Sequence, residues 1–266
     1  MGLGDGALLE VRGLSKSFGG IRALEGFDLT LGGGEIVGLI GPNGSGKTTA
    51  FNLLTGVLKP TGGTIRFRGI DVTRNRPDQN AVLGMARTFQ NIRLFRDLPV
   101  LDNVAVGLHM RYGTGFLPTV LQLPSARTSE RAIRKRALDV LATLDMRDRA
   151  DELVANLPYG DQRKVEFARA LATEPSLLLL DEPSAGMNAQ ETAAFGAIIS
   201  RIHRDLGITL VVVEHDMKMI MSLCQRIHVI NQGRLLAAGT AHEIQNDPRV
   251  IEAYLGHRQA ATHDLA

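Results

Sequence analysis

The sequence predicts an α/β fold in which a mainly parallel central sheet is interrupted by a helical segment. Two short apolar runs indicate buried strands, EIVGLI at 35–40 and SLLLLDEP at 176–183. The first run leads directly into a glycine-rich loop and a helical pattern. Helical patterns also dominate residues 91–173, between the two runs. Strand and helix patterns that alternate on both sides of such a segment are typical of α/β proteins with parallel central strands.

The composition favours a single large domain, or one domain with an inserted subdomain. The chain has 266 residues, 44% of them hydrophobic, and domains typically hold about 100–200 residues. Because 30 Lys and Arg oppose 28 Asp and Glu, the charge is weak evidence for nucleic-acid or anionic-lipid binding. The single cysteine, Cys224, is expected to pack inertly in an apolar run. We expect a cytosolic protein, since the sequence shows neither a secretory leader nor an apolar run of about 20 residues.

Local patterns indicate each element in the first half of the chain. Alternating or continuous apolar residues predict strands, and apolar residues at spacings of three and four predict helices. In one helix the stripe consists of Ile133, Ala137, Val140 and Leu144. The predicted strands are 8–14, 26–31, 35–40, 64–69 and 84–90, and the predicted helices are 46–58, 102–111, 130–147 and 161–173. Residues 112–126 carry no charge and include two prolines, which predicts a surface loop or, alternatively, a contact surface for a partner.

The second half returns to alternating strands and helices. Strands are predicted for SLLLLDEP, ITLVVVEH, RIHVI and GRLLAAG, and helices for 189–206 and 216–223, with two short helices after residue 240. The tail at 257–266 is expected to be mobile.

The segment GPNGSGKTT fits the phosphate-loop pattern G-x-x-x-x-G-K-[ST] in its required place, after a strand and before a helix. Glycines let backbone N–H groups curl around phosphate oxygens, and the helix N-terminus adds partial positive charge. Lys47 is expected to meet the terminal phosphates, and the Thr48 hydroxyl to bind Mg²⁺. The pattern therefore predicts a P-loop NTPase that binds a nucleoside triphosphate through Gly41, Pro42, Asn43, Gly44, Ser45, Gly46, Lys47, Thr48 and Thr49.

Two acids end the buried strand SLLLLDEP. Asp181 is expected to hold Mg²⁺ through a water, which leaves Glu182 to orient and deprotonate the attacking water. A positioned base of this kind contributes about 10²–10⁴-fold to a rate.

In order and spacing, these motifs resemble the ATPase subunit of ATP-binding-cassette (ABC) transporters, and the resemblance spans residues 8–256. It implies that Gln90 is the glutamine of the family's glutamine loop, which reaches Mg²⁺ and senses the membrane subunit. It also implies that His215 contacts the terminal phosphate and that Phe18 stacks on adenine, where base–aromatic stacking is worth about 1–3 kcal/mol.

The resemblance also implies a division of the chain. The expected fold is a P-loop NTPase of the ABC ATPase type, with a mainly parallel central sheet, an antiparallel β subdomain and an inserted α-helical subdomain. The expected bounds are 8–90 and 174–240 for the catalytic core with its β subdomain, 91–173 for the helical subdomain and 241–256 for the C-terminal helices.

The stretch NLPYGDQR stands where this family has its signature motif, usually written LSGGQ. The resemblance implies that Leu157, Pro158, Tyr159, Gly160 and Asp161 face the ATP of a second subunit and that Asn188 lies in the D-loop. The sequence departs from the family at four of these positions: proline replaces serine at 158, tyrosine replaces glycine at 159, aspartate replaces glutamine at 161, and asparagine replaces aspartate at 188. Backbone amides near Gly160 and the helix dipole are expected to attract phosphate in place of the missing hydroxyl.

Three segments, LPYGDQR, ARTFQNIRLF and DEPSAGMN, together resemble the ATPases of branched-chain amino-acid importers. That subgroup implies ATP hydrolysis with Mg²⁺, coupled to uptake. The implied partners are a second ATPase subunit, identical or different, two permeases contacted through residues 91–100, and indirectly a periplasmic binding protein. The chain would then lie on the inner face of the plasma membrane.

Other functions stay open or are disfavoured. A urea or short-amide importer and a lipopolysaccharide exporter are alternatives within the family. A soluble ABC ATPase acting on nucleic acid is disfavoured by the single cassette, the lack of sustained heptads and the near-zero net charge. A GTPase or small-molecule kinase lacks support because no N-K-x-D motif is present. A non-enzymatic relative is disfavoured because Glu182 and His215 are both present.

Overall fold

The computed structural model describes residues 6–113 and 124–254 of the chain. The predicted tail at 257–266 and most of the predicted loop at 112–126 lie outside the described residues. Within the described residues, no helix combines the length and the apolar character that a membrane span requires.

The described chain forms two compact units. One contains the residues up to Asn80 together with those from Gly207 onward, and the other contains Ala81–Leu206.

The first unit holds an antiparallel sheet. Its strands are β1 (Leu9–Phe18), β2 (Ile21–Leu31), β4 (Gly62–Phe67) and β5 (Ile70–Asp71), in the order β2-β1-β4-β5. Along β1, Leu9 and Val11 are buried while Arg12 and Gly13 are exposed. The expected antiparallel β subdomain is therefore confirmed.

The first unit also holds parallel strands that carry its central core. Strand β3 (Ile36–Ile40) pairs in parallel with β8 (Thr209–Val213) and β9 (Arg226–Asn231), and β10 (Arg234–Gly239) runs antiparallel to β9. Every residue of β3 and β8 is buried. Strands covered on both faces are continuous apolar runs, which explains why EIVGLI and TLVVV lack alternation.

The helices of this unit are short, and two of them are capped by side chains at their first turn, whereas the helix that begins at Lys47 has no side-chain cap. The Asp216 carboxylate accepts hydrogen bonds from two amides at the start of its helix, and Thr240 with Glu243 forms a capping box. The helices are α1 (Lys47–Leu54), α7 (Met217–Leu223) and α8 (Ala241–Asn246), and residues 248–254 are also helical. Helix α2 (Pro77–Val82) lies at the boundary with the second unit.

The second unit combines a parallel strand pair with four long helices. Phe167 and Phe195 pack edge to face in its core, with ring centroids 5.6 Å apart. The elements are β6 (Met85–Arg87), α3 (Val100–Tyr112), α4 (Pro124–Thr143), α5 (Tyr159–Leu171), β7 (Leu177–Asp181) and α6 (Ala189–Leu206). Strands β6 and β7 pair in parallel, which confirms the predicted parallel character.

Several predicted bounds were wrong. Strand β1 runs to Phe18 rather than residue 14, and β2 begins at Ile21 rather than residue 26. Helix α1 ends at Leu54, not residue 58, because Gly56 adopts φ +80° and a Cβ there would lie 2.3 Å from the Asn75 carbonyl oxygen. Helix α4 was predicted over 130–147 but runs from Pro124 to Thr143. The earlier start is possible because proline is tolerated in the first turn of a helix. The strand predicted over 84–90 is reduced to Met85–Arg87.

The inert role expected for the lone cysteine is confirmed. Cys224 is buried, and its Sγ lies 3.2 Å from the position of a Cβ built on Gly38. Burial raises the pKa of the thiol to about 12.

A buried histidine in β9 should make stability depend on pH. Burial lowers the pKa of His228 to about 4 from its ordinary 6.5, with Arg226 adding to the effect. As pH drops from 6.5 to about 4, His228 is protonated in the unfolded chain but stays neutral in the folded chain. The free energy of unfolding therefore decreases as pH drops through this range. We expect the thermal unfolding midpoint to decrease less in His228→Gln than in the wild type as pH drops from 7 to 4. A midpoint difference that stays constant over this range would show that His228 is not the source.

Candidate functional site

The predicted phosphate loop lies between β3 and α1 and lines an open pocket. The pocket has a volume of about 140 Å³, and its walls are Ala23 and the residues from Gly44 to Thr49. The Lys47 side chain is buried, and its Nζ donates hydrogen bonds to the carbonyl oxygens of Gly41 and Pro42, at 2.7 and 2.9 Å. The ammonium group is therefore held over the loop by the loop's own backbone.

Two glycines let the loop pass close to neighbouring backbone. Gly41 has φ +152°, and a Cβ at this position would lie 2.0 Å from the Ile230 carbonyl oxygen. A Cβ on Gly46 would lie 2.7 Å from the Ala23 carbonyl oxygen. Ordinary Cβ atoms do not approach so closely, so both positions require glycine.

The loop has the features that a phosphate group requires. The first amides of a helix have no intrahelical partner and carry partial positive charge. The buried Ser45 hydroxyl finds no hydrogen-bond partner within the described part of the chain, while Asn43, Gly44 and Thr48 are exposed. A buried lysine beside the amides that begin a helix is an arrangement suited to phosphate groups.

The residues predicted to bind Mg²⁺ offer only oxygen ligands: the Thr48 hydroxyl, the Gln90 amide oxygen and the Asp181 carboxylate. Oxygen is what Mg²⁺ prefers, and protein sites typically supply only one or two ligands beside substrate phosphates. Among the described residues, no group of three His, Cys, Asp or Glu side chains is suited to a metal ion.

Two further predicted residues lie in the first unit. Phe18 ends β1 with 47% of its surface exposed, and the Lys16 ammonium lies 5.1 Å from its ring centroid. His215 follows β8 and is exposed. Its backbone N–H donates to the buried Glu214 carboxylate at 2.8 Å, which fixes the main chain at this point. Both side chains are therefore accessible on rigid backbone.

In the second unit, the predicted acid pair stands at the end of β7. Asp181 is buried and forms an ion pair with Arg87 at 2.6 Å. Glu182 has φ +47°, a conformation that non-glycine residues rarely adopt and that clusters at functional sites. The Gln90 amide nitrogen donates to the Glu182 carboxylate at 3.0 Å. The predicted base and the predicted glutamine-loop residue are thus in direct contact.

The signature segment begins helix α5. Pro158 is the residue before the helix, and its carbonyl oxygen accepts from the amides of Asp161 and Gln162, both at 3.0 Å. The Asp161 carboxylate pairs with Arg149 and Lys164, both at 2.8 Å. Aspartate in place of glutamine therefore does not leave an unbalanced negative charge where phosphate is expected.

Asn188, which stands where the family has aspartate, caps the helix that follows it. Its side-chain oxygen accepts hydrogen bonds from the amides of Gln190 at 2.9 Å and Glu191 at 3.0 Å, and its own amide donates to the Glu191 carboxylate at 2.9 Å. Asparagine is among the strongest residues for capping a helix in this way. Asn188 therefore fixes the start of α6.

Two arginines of this unit were missed by the sequence reasoning, one buried and one with 9% of its side chain exposed. Arg87 pairs with Asp181 as described above, and Arg163 on α5 is only 3% exposed. A signal for each was present. Arg87 shares the face of Met85 under strand alternation, and Arg163 lies four residues before Phe167 on the apolar side of its helix.

Comparisons with known proteins agree over nearly the whole chain. The ABC transporter family matches residues 24–185, and the family described as branched-chain amino acid ATP-binding cassette transporter matches residues 234–260. The chain is 45% identical to the high-affinity branched-chain amino acid transport ATP-binding protein LivG of Escherichia coli, over 94% of this chain and 98% of LivG. It is 42% identical to BraF of Pseudomonas aeruginosa, a protein of the same description, with the same coverage.

Solved structures show the same fold. The ADP conformation of MJ1267, an ATP-binding cassette of an ABC transporter, matches with a TM-score of 0.82 and 28% identity, over 95% of this chain and 100% of that one. A dimeric post-hydrolysis state of the cassette MJ0796, bound to ADP and Pi, matches with a TM-score of 0.74 and 26% identity, over 88% and 98%.

Removal of one partner of the Arg87–Asp181 ion pair should destabilise the fold strongly. Removing one partner of a buried pair leaves an unpaired buried charge and costs about 3–5 kcal/mol. We expect Arg87→Met to lower the free energy of unfolding in urea by that amount. Arg201→Met is the control, because it removes an exposed pair with Asp145 and should cost at most about 1 kcal/mol. Equal losses in the two variants would contradict this account.

Proposed function

The chain belongs to the ABC transporter family as an ATP-hydrolysing subunit, and from this membership we propose that it drives the uptake of branched-chain and similar apolar amino acids. The observation that carries the proposal is the near-full-length similarity to two relatives described as branched-chain amino acid transport ATP-binding proteins. The match of residues 234–260 to a family with the same substrate in its description supports it independently of the cassette core.

We propose that ATP binds with its phosphates on the loop from Gly41 to Thr49. The buried Lys47 ammonium supplies the positive charge, and the loop amides and the Ser45 hydroxyl supply hydrogen bonds. Phe18 offers an exposed aromatic face for the adenine ring. Thr48, Gln90 and Asp181 would hold Mg²⁺, with Asp181 acting through a water. When bound, the ion neutralises charge on the phosphates.

In the hydrolysis step, we propose Glu182 as the general base that accepts a proton from the attacking water. The Gln90 side chain donates a hydrogen bond that orients the Glu182 carboxylate, and a general base must be positioned in this way. Backbone strain at Glu182 indicates that the surrounding structure, not local preference, sets its direction. His215 is proposed to contact the terminal phosphate.

The proposed assembly contains two ATPase subunits and two permeases, with a periplasmic binding protein as an indirect partner. In the head-to-tail pair, the segment from Leu157 to Asp161 would face the ATP held by the other subunit, and Asn188 would lie at the D-loop. Residues 91–100 would contact a permease and place the chain on the inner face of the plasma membrane. The bounds 91–173 for a helical subdomain belong to this proposal too.

The base assignment predicts a specific loss in Glu182→Gln. Glutamine keeps the shape and the acceptor oxygen that Gln90 contacts but cannot take a proton, so hydrolysis should fall about 10²–10⁴-fold. Binding of ATP, measured by calorimetry, should persist. Turnover at the wild-type rate in this variant would refute the assignment.

The same variant separates the possible substrates in cells. Uptake of radiolabelled leucine should fall to background in cells whose only copy of the chain is Glu182→Gln, whereas urea uptake should continue. Loss of urea uptake with leucine uptake intact would favour an amide importer instead.

The signature segment yields a second prediction. Because backbone amides near Gly160 are proposed to bind phosphate, Pro158→Ser should change the ATPase rate little. A single lost hydrogen-bond donor at such a site can cost about 10²–10³-fold. A rise of about a hundredfold in Pro158→Ser would therefore show that the missing hydroxyl limits the wild-type rate.

A further inference from the structure

The buried arginine on helix α5 connects two segments that the proposed mechanism treats as separate. The Arg163 guanidinium donates to the carbonyl oxygens of Phe89 at 2.9 Å and Gln90 at 2.5 Å. It also donates to the Tyr159 hydroxyl at 3.0 Å. One side chain thus ties the glutamine loop to the first residue of the signature helix.

Both ends of Gln90 are fixed by these contacts. Arg163 binds its backbone carbonyl, and its side chain donates to the Glu182 carboxylate at 3.0 Å. A shift of the backbone at Gln90 would therefore move the group that orients Glu182. The planar fork of arginine suits two neighbouring carbonyl oxygens, which a lysine ammonium does not match.

The positive charge of Arg163 is balanced within the same helix. Glu166 is 3% exposed and lies 3.3 Å from the guanidinium, and its other oxygen accepts from the Arg93 amide at 3.3 Å. Burial raises the pKa of Glu166, while the charge of Arg163 opposes the rise. The pair therefore adds a third attachment between α5 and the loop after Gln90.

Tyr159 extends these contacts to the loop that follows the acid pair. A Cβ on Gly186 would lie 2.6 Å from Cε1 of the Tyr159 ring, so the ring packs directly on the backbone of Gly186. Tyrosine stands here in place of the family's glycine. Its hydroxyl meets Arg163 while its ring meets Gly186, a pair of contacts that glycine could not make.

We propose that Arg163 is a positioning residue, which holds the backbone of Gln90 so that Gln90 orients the Glu182 carboxylate, and that Tyr159 fixes Arg163 from the signature helix. The proposal rests on the assignment of Glu182 as the base. If Arg163 has this role, a movement of the signature helix α5 shifts Gln90 and thereby reorients the Glu182 carboxylate. The competing explanation is a purely structural role for the Arg163–Glu166 ion pair. The two explanations predict different effects of Arg163→Lys on kcat in a variant that already lacks the Gln90 side chain.

The first test is a double-mutant cycle built on Arg163→Lys, which keeps a positive charge beside Glu166 and so preserves the pair. Misplacement of a reacting group by about 1 Å can cost about 10²-fold in rate, so we expect kcat for ATP hydrolysis to fall about 10- to 100-fold with the KM for ATP unchanged. Starting from Gln90→Ala, the same substitution should change kcat by less than about twofold, because groups that act through one contact are not additive.

Arg201→Met is the matched control for this cycle. Arg201 lies in the same unit and also donates to a backbone carbonyl, that of Thr143 at 2.8 Å, and to an acid, Asp145 at 3.1 Å, but both contacts are exposed. Its kcat should equal that of the wild type. Equal losses from Arg163→Lys with and without Gln90 would overturn the proposal in favour of a structural role.

The second test does not require hydrolysis. Hydrogen exchange without nucleotide should be faster at residues 89–93 in Arg163→Lys, and should be unchanged at the phosphate loop and in the Arg201→Met control. Tyr159→Phe removes one acceptor and should produce a smaller change at the same residues, which serves as the readout if Arg163→Lys unfolds. Wild-type exchange at 89–93 in either folded variant would refute the proposal. A wild-type chain that binds but does not hydrolyse ATP would instead count against the proposed function.

Discussion

The structure depends first on the close approach of main chain to main chain at the phosphate loop. Gly41 passes so near the Ile230 carbonyl that no side chain fits between them, and Gly46 does the same against Ala23. This approach turns the loop so that its amides and the buried Lys47 ammonium share one concave surface with the start of α1. In the proposed nucleotide site, most groups offered to phosphate belong to the backbone, so few other side chains are needed.

Buried arginines play the corresponding part in the second unit. A buried ion pair repays its desolvation only when its geometry is good and its remaining donors are satisfied. Arg163 donates to four acceptors, although its Nε has no partner among the described residues, and Arg87 holds Asp181 at the end of β7. Such pairs contribute more to a unique geometry than to net stability. Each stands where a predicted functional residue must point in a defined direction.

The sequence predicted the phosphate loop, the acid pair and the element types because each has a local pattern. The apolar runs at β3 and β7 and the G-x-x-x-x-G-K-[ST] spacing need no tertiary information. Helix α1 was predicted too long because the stop at Gly56 comes from the approach of the Asn75 carbonyl, a contact distant in sequence. Arg163 was overlooked because it stands in the polar run DQRK, where its neighbours face solvent or pair with one another. Its spacing from Phe167 was a signal of burial, but its guanidinium binds the carbonyls of Phe89 and Gln90, and no local pattern identifies those partners.

The central claim is that the main chain from Gly41 to Thr49, together with Lys47, binds the phosphates of an adenine nucleotide. Calorimetric titration of the folded protein with ATP and magnesium, beside a Lys47→Met variant, tests it most directly. We expect saturable heat from one site per chain in the wild type and a large loss of affinity in the variant. Equal affinity in both proteins, or no heat from the folded wild type, would contradict the account.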